Sequence, residues 1–304
     1  MLLFIEQLLN GLQLGIMLFL MSAGLTLVFG IMQVINLAHG SFYMIGAYVG
    51  ATVAARTGSF LLGLLAALPA SALAGMLVEA LVLRRLYKKE HLDQVLATFG
   101  LIMFFNELTR ILWGRQPLFM DVPPWLSGSV EIIPGVPYPS YRIAVISVGI
   151  IVAVLLYLLF TRTRLGMQIR AGASNREMAA ALGVNIRLLY TLVFGLGTLL
   201  AGLAGVMAGP ILAVEAGMGE SVLILTFVVI VIGGIGSIRG ALVGALLVGM
   251  VDTLGRAFLP TLLRTVFSAA YADGVAASLA SMSVYILMAV ILVWRPRGLL
   301  PGAN

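Results

Sequence analysis

Cysteine is absent from the 304 residues, which excludes a disulfide framework and any thiolate metal or redox centre. Charge is scarce, with Asp, Glu, Lys and Arg making up 10% of the chain. Lysine stands only at Lys88 and Lys89, and histidine only at His39 and His91. No G-x-x-x-x-G-K-[ST] stretch occurs, so the chain has no loop to cradle nucleotide phosphates. H-E-x-x-H and G-x-S-x-G are missing as well, and Glu79, Glu107, Glu215, Glu220 and Asp252 give no pair with an acid–base role. These carboxylates read as groups solvated at helix ends, and His91 as a solvated residue of the basic KKEHLD loop. No catalytic residue and no metal site is expected, and an intramembrane hydrolase is a poor fit.

Apolar residues are abundant, at 61% of the chain with a mean hydropathy of +1.11. This is the composition of a polytopic membrane protein. A helix crosses about 30 Å of hydrocarbon with roughly 20 apolar residues, and blocks of that kind lie near 8–29, 36–55, 60–83, 94–113, 141–160, 188–212, 221–238, 240–259 and 276–294. A β-barrel would show alternation in segments of about ten residues instead. The expectation is an all-α membrane protein of eight or nine transmembrane helices, forming one domain over residues 1–304. Glycine is dense at 30–55 and 221–259, where helices are expected to break or re-enter. The opening MLLFIEQLLNGLQLG has no basic leader or small-residue cleavage pattern and reads as the first span.

Basic residues in short loops mark the cytoplasmic side. They collect at Arg84, Arg85, Lys88 and Lys89, again at Arg162, Arg164, Arg170, Arg176 and Arg187, and at Arg295 and Arg297. The loop at about 114–140 is rich in proline (Pro117, Pro123, Pro124, Pro134, Pro137, Pro139), carries Trp125, and offsets Arg115 with Asp121 and Glu131. It is expected outside, with the N-terminus outside and the C-terminus in the cytoplasm. The net charge of +6 is then a consequence of topology, and nucleic-acid binding need not be invoked.

The chain has 35 glycines, and G-x-x-x-G recurs at Gly11/Gly15, Gly46/Gly50, Gly205/Gly209 and, in tandem, Gly236/Gly240/Gly244. Small faces let helices approach closely in lipid, so these positions are expected to pack helices. Arg239, inside the tandem run, is expected to end a helix at the cytoplasmic face.

The basic segment at about 161–187 contains TRTRLGMQIRAGASNREMAAALGVNIRLLY. Ser174 and Glu177 have the S-x-x-E spacing of a capping box, and Gly183 suits a left-handed helix stop. One capped helix of about ten residues is predicted. Its Met178, Ala179 and Leu182 suit either the groove of another protein or the membrane surface.

The stretch from Glu177 to Gly183 resembles the E-A-A-x-x-x-G loop by which permeases of ABC importers engage their ATPases, with Met178 in place of the first alanine. GLTLVFGIMQVINLAHGSFYMIGAYVG, RAGASNREMAAALGVNI and GGIGSIRGALVGALLVG resemble the branched-chain amino acid permeases of the LivH type, so the similarity spans most of the chain. It implies an all-helical ABC-importer permease core in a bacterial inner membrane. The implied partners are a second related permease, two cytoplasmic ATPases that hold the ATP and Mg, and a periplasmic binding protein delivering Leu, Ile or Val. Urea and short-amide permeases resemble the same group.

A carrier driven by an ion gradient is the main rival, because broken glycine-rich spans near Gly40 and Gly240 suit a midplane site. Such carriers keep ionisable relays within their spans, and here mid-span Asp, Glu and Lys are nearly absent. The polar insertion Asn36, His39, Gly40 and Ser41 has two readings. Asn36 and His39, three apart on one helix face, either satisfy backbone groups freed at a break or, with Ser41, line the passage between two permeases.

Overall fold

The computed structural model describes residues 2–87, 89–133, 135–265 and 267–302. Lys88 and Pro134, named above, lie outside the described residues.

The nine apolar blocks all fall on helices. The chain begins with α1 (Leu2–Met32), α2 (His39–Thr57) and α3 (Phe60–Val78), which continues through a π-helical turn (Glu79–Leu83) into α4 (Arg84–Leu86). Then come α5 (His91–Trp113), a β-hairpin of β1 (Ser129–Ile133) and β2 (Val136–Pro139), and α6 (Ser140–Arg162). Two short helices follow, α7 (Arg164–Ser174) and α8 (Arg176–Ala181), and then α9 (Ile186–Ala208), α10 (Met218–Gly233), α11 (Ile238–Leu263) and α12 (Ala269–Trp294). The antiparallel hairpin departs from the all-helical expectation. It occupies the proline-rich loop beside a single 3-10 turn (Pro124–Leu126), where repeated prolines prevent a continuous α-helix.

Among the described residues, seven helices are long and apolar enough to cross a bilayer: α1, α3 with its extension, α5, α6, α9, α11 and most of α12. Helix α10 has 16 residues and is too short. Helix α2 has 19 but is diluted by His39, Gly40, Ser41 and Arg56. The expected eight or nine spans are met as seven complete helices and two partial ones.

The partial helices share a starting point. His39 opens α2 beside Gly24 of α1, eight residues (24 to 32) before α1 ends at Met32. Helix α2 therefore starts about 12 Å back from that end of the bundle, at 1.5 Å per residue. It runs parallel to α9, with Gly46 against Gly202 and Gly50 against Val206. Helix α10 starts where α2 starts, because the backbones of Gly40 and Gly219 touch and a Cβ on either would overlap the other's carbonyl oxygen. It runs the opposite way, to Gly233, where Leu299 and Leu300 donate backbone hydrogen bonds to Ile232 and Gly233. Two half-length helices thus leave one point inside the bundle toward its two ends. Neither N-cap residue, Ala38 or Gly217, supplies a side-chain cap.

The centre of the bundle is α1 and α9, whose most apolar windows are 83% and 78% buried, whereas those of α5 and α6 are 22% buried and form the rim. Small residues make that centre possible. Gly11 and Gly15 of α1 lie against the backbone of α11 at Gly249 and Ala245, and Gly24 against Gly197 of α9. The tandem glycine run is split by the fold. Gly240 and Gly244 pack α11 on Gly233 and Val229 of α10, but Gly236 lies between the helices at φ +80°. Its role as a helix-packing residue is therefore corrected to that of a turn residue lying near Gly30. Arg239 is corrected likewise: it stands in the first turn of α11, after the Ser237 cap, and its guanidinium lies 6.0 Å from the Tyr157 ring.

Candidate functional site

Three polar features are set into this apolar bundle. The first is the break between α1 and α2. Asn36 lies in the break itself, so it does not share a helix face with His39, which is the first residue of α2. The Asn36 Oδ1 accepts from the Ala38 N–H at 3.1 Å, and the His39 N–H donates to the Asn36 carbonyl at 3.3 Å. Asn36 therefore supports the backbone where the helix is interrupted. Among the described residues its Nδ2 has no hydrogen-bond partner, and the imidazole of His39 has only a loose contact with the Met21 backbone, short of a well-formed hydrogen bond. Asn36 and His39 are 0% exposed, so both side chains point into this subunit. Ser41 is 5% exposed and lines a narrow cleft with Gly40, Asn106, Gly219 and Glu220. At its rim Asn106 Nδ2 donates to Glu220 Oε1 at 2.6 Å.

The second feature is the basic segment after α6, which is built as two helices where one was expected. Thr163 caps α7 by accepting from the Gly166 N–H at 3.1 Å. Helix α7 then runs to Ser174, so Ser174 ends one helix and does not open the next. Asn175, extended at φ −151°, caps α8 by accepting from the Met178 N–H at 2.9 Å. The expected Ser174–Glu177 capping box is thus corrected to an asparagine cap, since asparagine is at least as good an N-cap as serine and sits one residue closer to the helix. Glu177 falls in the first turn of α8, where a carboxylate favours the helix dipole. Gly183 ends the turn at φ +89° as expected. Ala179 is buried against the bundle, while Met178 is 59% and Leu182 79% exposed. Helix α8 and its cap residue Leu182 therefore present an apolar edge that none of the described residues covers. Four residues later begins α9, capped by Asn185.

The third feature was not legible as a site. Glu79, read above as solvated, is 0% exposed. Its carboxylate accepts from Arg84 Nη2 at 2.9 Å, from the Tyr87 hydroxyl at 2.6 Å and from the Thr191 hydroxyl of α9 at 2.7 Å. Burial pushes the Tyr87 phenol up, and its hydrogen bond to Glu79 adds to the shift, so Tyr87 keeps its proton and stays a donor. The π-helical turn that begins at Glu79 brings Arg84 and Tyr87 back onto the same carboxylate; such turns recur at functional sites. The signal in the sequence was a lone Glu five residues before an Arg at the end of an apolar block. Asp252 is also buried and is held by Arg256 at 2.9 Å.

Seven spanning helices, two half-helices meeting inside them and an exposed helical segment at one end define a multi-helix membrane permease. Residues 7–294 match the family model described as branched-chain amino acid transport system / permease component. The chain belongs to that family. It is 32% identical over 311 residues, covering 98% of this chain and 95% of the relative, to the high-affinity branched-chain amino acid transport system permease protein BraD of Pseudomonas aeruginosa. The permease protein LivH of Salmonella typhimurium is 30% identical over 317 residues, at 98% and 95% coverage. A solved metal-chelate type ABC transporter in an inward-facing conformation overlaps 93% of this chain and 85% of its own, with 20% identity and a TM-score of 0.45.

Proposed function

We propose that this chain is one permease subunit of an ATP-driven importer for Leu, Ile and Val in a bacterial inner membrane. The observation that carries this reading is the family match over residues 7–294, joined to high-affinity branched-chain permeases as relatives over nearly the whole chain. The partners are a second related permease, two cytoplasmic subunits that bind ATP with Mg, and a periplasmic substrate-binding protein. Helix α8 is the docking element for an ATPase, because its exposed Met178 and Leu182 stand among the basic residues that mark the cytoplasmic side. Its Glu177, Ala179 and Gly183 set the shape of that edge. The N-terminus is then periplasmic and the C-terminus cytoplasmic.

The passage runs past the point where α2 and α10 meet. Ser41 stands on its wall, and Asn36 and His39 form a polar backing directly behind. The one carboxylate of the cleft, Glu220, stands at its rim and is held by Asn106, so the wall formed by Gly40, Ser41 and Gly219 offers a zwitterion no fixed charge to trap it. The Asn36 amide nitrogen and the loosely held His39 ring gain better partners when the break opens during transport, since a buried polar group without a good hydrogen bond is costly. Helix movement concentrates at this break.

The test is reconstitution of the permease pair with ATPases and binding protein in proteoliposomes. Leucine uptake should follow ATP and be indifferent to collapse of proton and sodium gradients. Gly183→Val should abolish uptake while leaving the chain inserted, because valine at a left-handed position is strained by about 1–2 kcal/mol and the end of α8 is displaced. Uptake that follows an ion gradient, or that survives unchanged in Gly183→Val, contradicts the reading.

A further inference from the structure

Helices α3 and α9 meet along one seam of small side chains. Down the seam, Ser71 lies against Gly202, Gly75 against Thr198 and Met76 against Gly195, each close enough that a Cβ on the glycine would overlap its neighbour. The positions Ser71, Gly75 and Glu79 are four apart, so they form one ridge of α3 and its extension. The seam ends at the Glu79 carboxylate, which reaches across to Thr191. Thr191 lies in the second turn of α9, close after α8. Its one hydroxyl proton has two acceptors in reach, the Glu79 carboxylate at 2.7 Å and the Arg187 carbonyl at 3.0 Å, and the charged, closer one is favoured; the oxygen accepts from Arg84 Nη2 at 2.9 Å, so a single hydroxyl ties both members of the ion pair to α9.

A carboxylate with no exposure in a membrane bundle is tolerated only when fully paired, and Glu79 has three residues donating to it. The rest of the α3–α9 seam is close packing of Ser71, Gly75 and Met76 on Gly202, Thr198 and Gly195, so Glu79 is its charged anchor. We infer that Glu79, with Arg84 and Thr191, is a positioning clasp that makes α3 and α9 move as one body when α8 is displaced. The clasp sits where α9 receives that displacement. This inference rests on the proposed function, and gives it the joint through which α8 acts on the spans.

The experiment compares Thr191→Val, which removes only the hydroxyl, with Thr191→Ser, which keeps it, in the complete reconstituted importer. Glu79→Gln, which keeps an acceptor but loses the charge, is the second variant. The reading is leucine imported per ATP hydrolysed, measured with the amount of assembled complex. Losing a hydrogen bond to a charged group predicts about a tenfold fall in leucine per ATP for Thr191→Val, with complex yield and ATPase rate retained. Thr191→Ser should match the wild type, and Glu79→Gln, which weakens all three bonds to the carboxylate, should fall at least as far as Thr191→Val. Unchanged leucine per ATP in Thr191→Val overturns the clasp, as does a fall in uptake matched by an equal fall in ATPase rate. Loss of assembled complex in both Thr191→Val and Glu79→Gln, with leucine per ATP of the remainder unchanged, also overturns it and makes the site purely structural. If the wild-type importer shows no ATP-driven leucine uptake, the functional reading falls and takes the clasp with it.

Discussion

Two polar sites centre on fully buried side chains and they are built in opposite ways. At the Glu79 site a buried carboxylate has Arg84, Tyr87 and Thr191 as donors. At the break before α2, a fully buried imidazole has only a loose contact with the Met21 backbone, and the amide nitrogen of Asn36 has no partner among the described residues. A satisfied polar network fixes one arrangement, whereas an unsatisfied one is relieved only by another. The comparison separates a joint from a hinge. It also explains why helix α9 connects them. Its N-terminal end carries Thr191 and its middle, at Gly197, lies against Gly24, which in turn lies against the His39 ring.

The comparison breaks most visibly when each site is made apolar. Glu79→Leu leaves the Tyr87 hydroxyl without its acceptor and frees Arg84, at a cost of roughly 1–3 kcal/mol for the orphaned donor. His39→Leu removes a buried ring that has only a loose contact with the Met21 backbone and is expected to raise stability, by about 1 kcal/mol, while slowing uptake per complex. Denaturant unfolding of the purified chain should show the two substitutions shifting the midpoint in opposite directions. Two shifts of the same sign would erase the distinction between the sites.

A smaller effect sharpens the same logic at the exposed segment. Asn175→Ala should destabilise α8 by about 1 kcal/mol, the usual worth of an N-cap, whereas Ser174→Ala should do almost nothing. Hydrogen exchange at the Met178 amide reads this directly. Faster exchange in Ser174→Ala than in Asn175→Ala would restore the capping box that the fold replaces.

Much of the architecture was legible in the apolar blocks, because a bilayer leaves helices few alternatives. The breaks near Gly40 and at the start of α10 were signalled by glycine density, and Gly183 by the left-handed stop it supplies. The site was legible only in part. Asn36 and His39 were visible as polar residues in an apolar run, but their enclosure within one subunit depends on where α1 and α9 close over them. Ser174 and Asn175 are both good caps one residue apart, and the choice depended on how far α7 propagates. Glu79 and Thr191 are more than a hundred positions apart, and no local pattern joins them. The π-helical turn that folds Arg84 back onto Glu79 has no sequence periodicity to announce it.

The most direct test is a pair of distances in the assembled importer, which the absence of cysteine makes simple to label. Spin labels at Leu77 and Leu188 report on α3 against α9, and labels at Ala55 and Ile224 on α2 against α10; all four positions are exposed in this chain. Between the nucleotide-free and ATP-bound states, the Ala55–Ile224 distance should change while the Leu77–Leu188 distance stays fixed. A change at Leu77–Leu188 with Ala55–Ile224 fixed would contradict the account, because the clasp would then be the hinge and the break the joint.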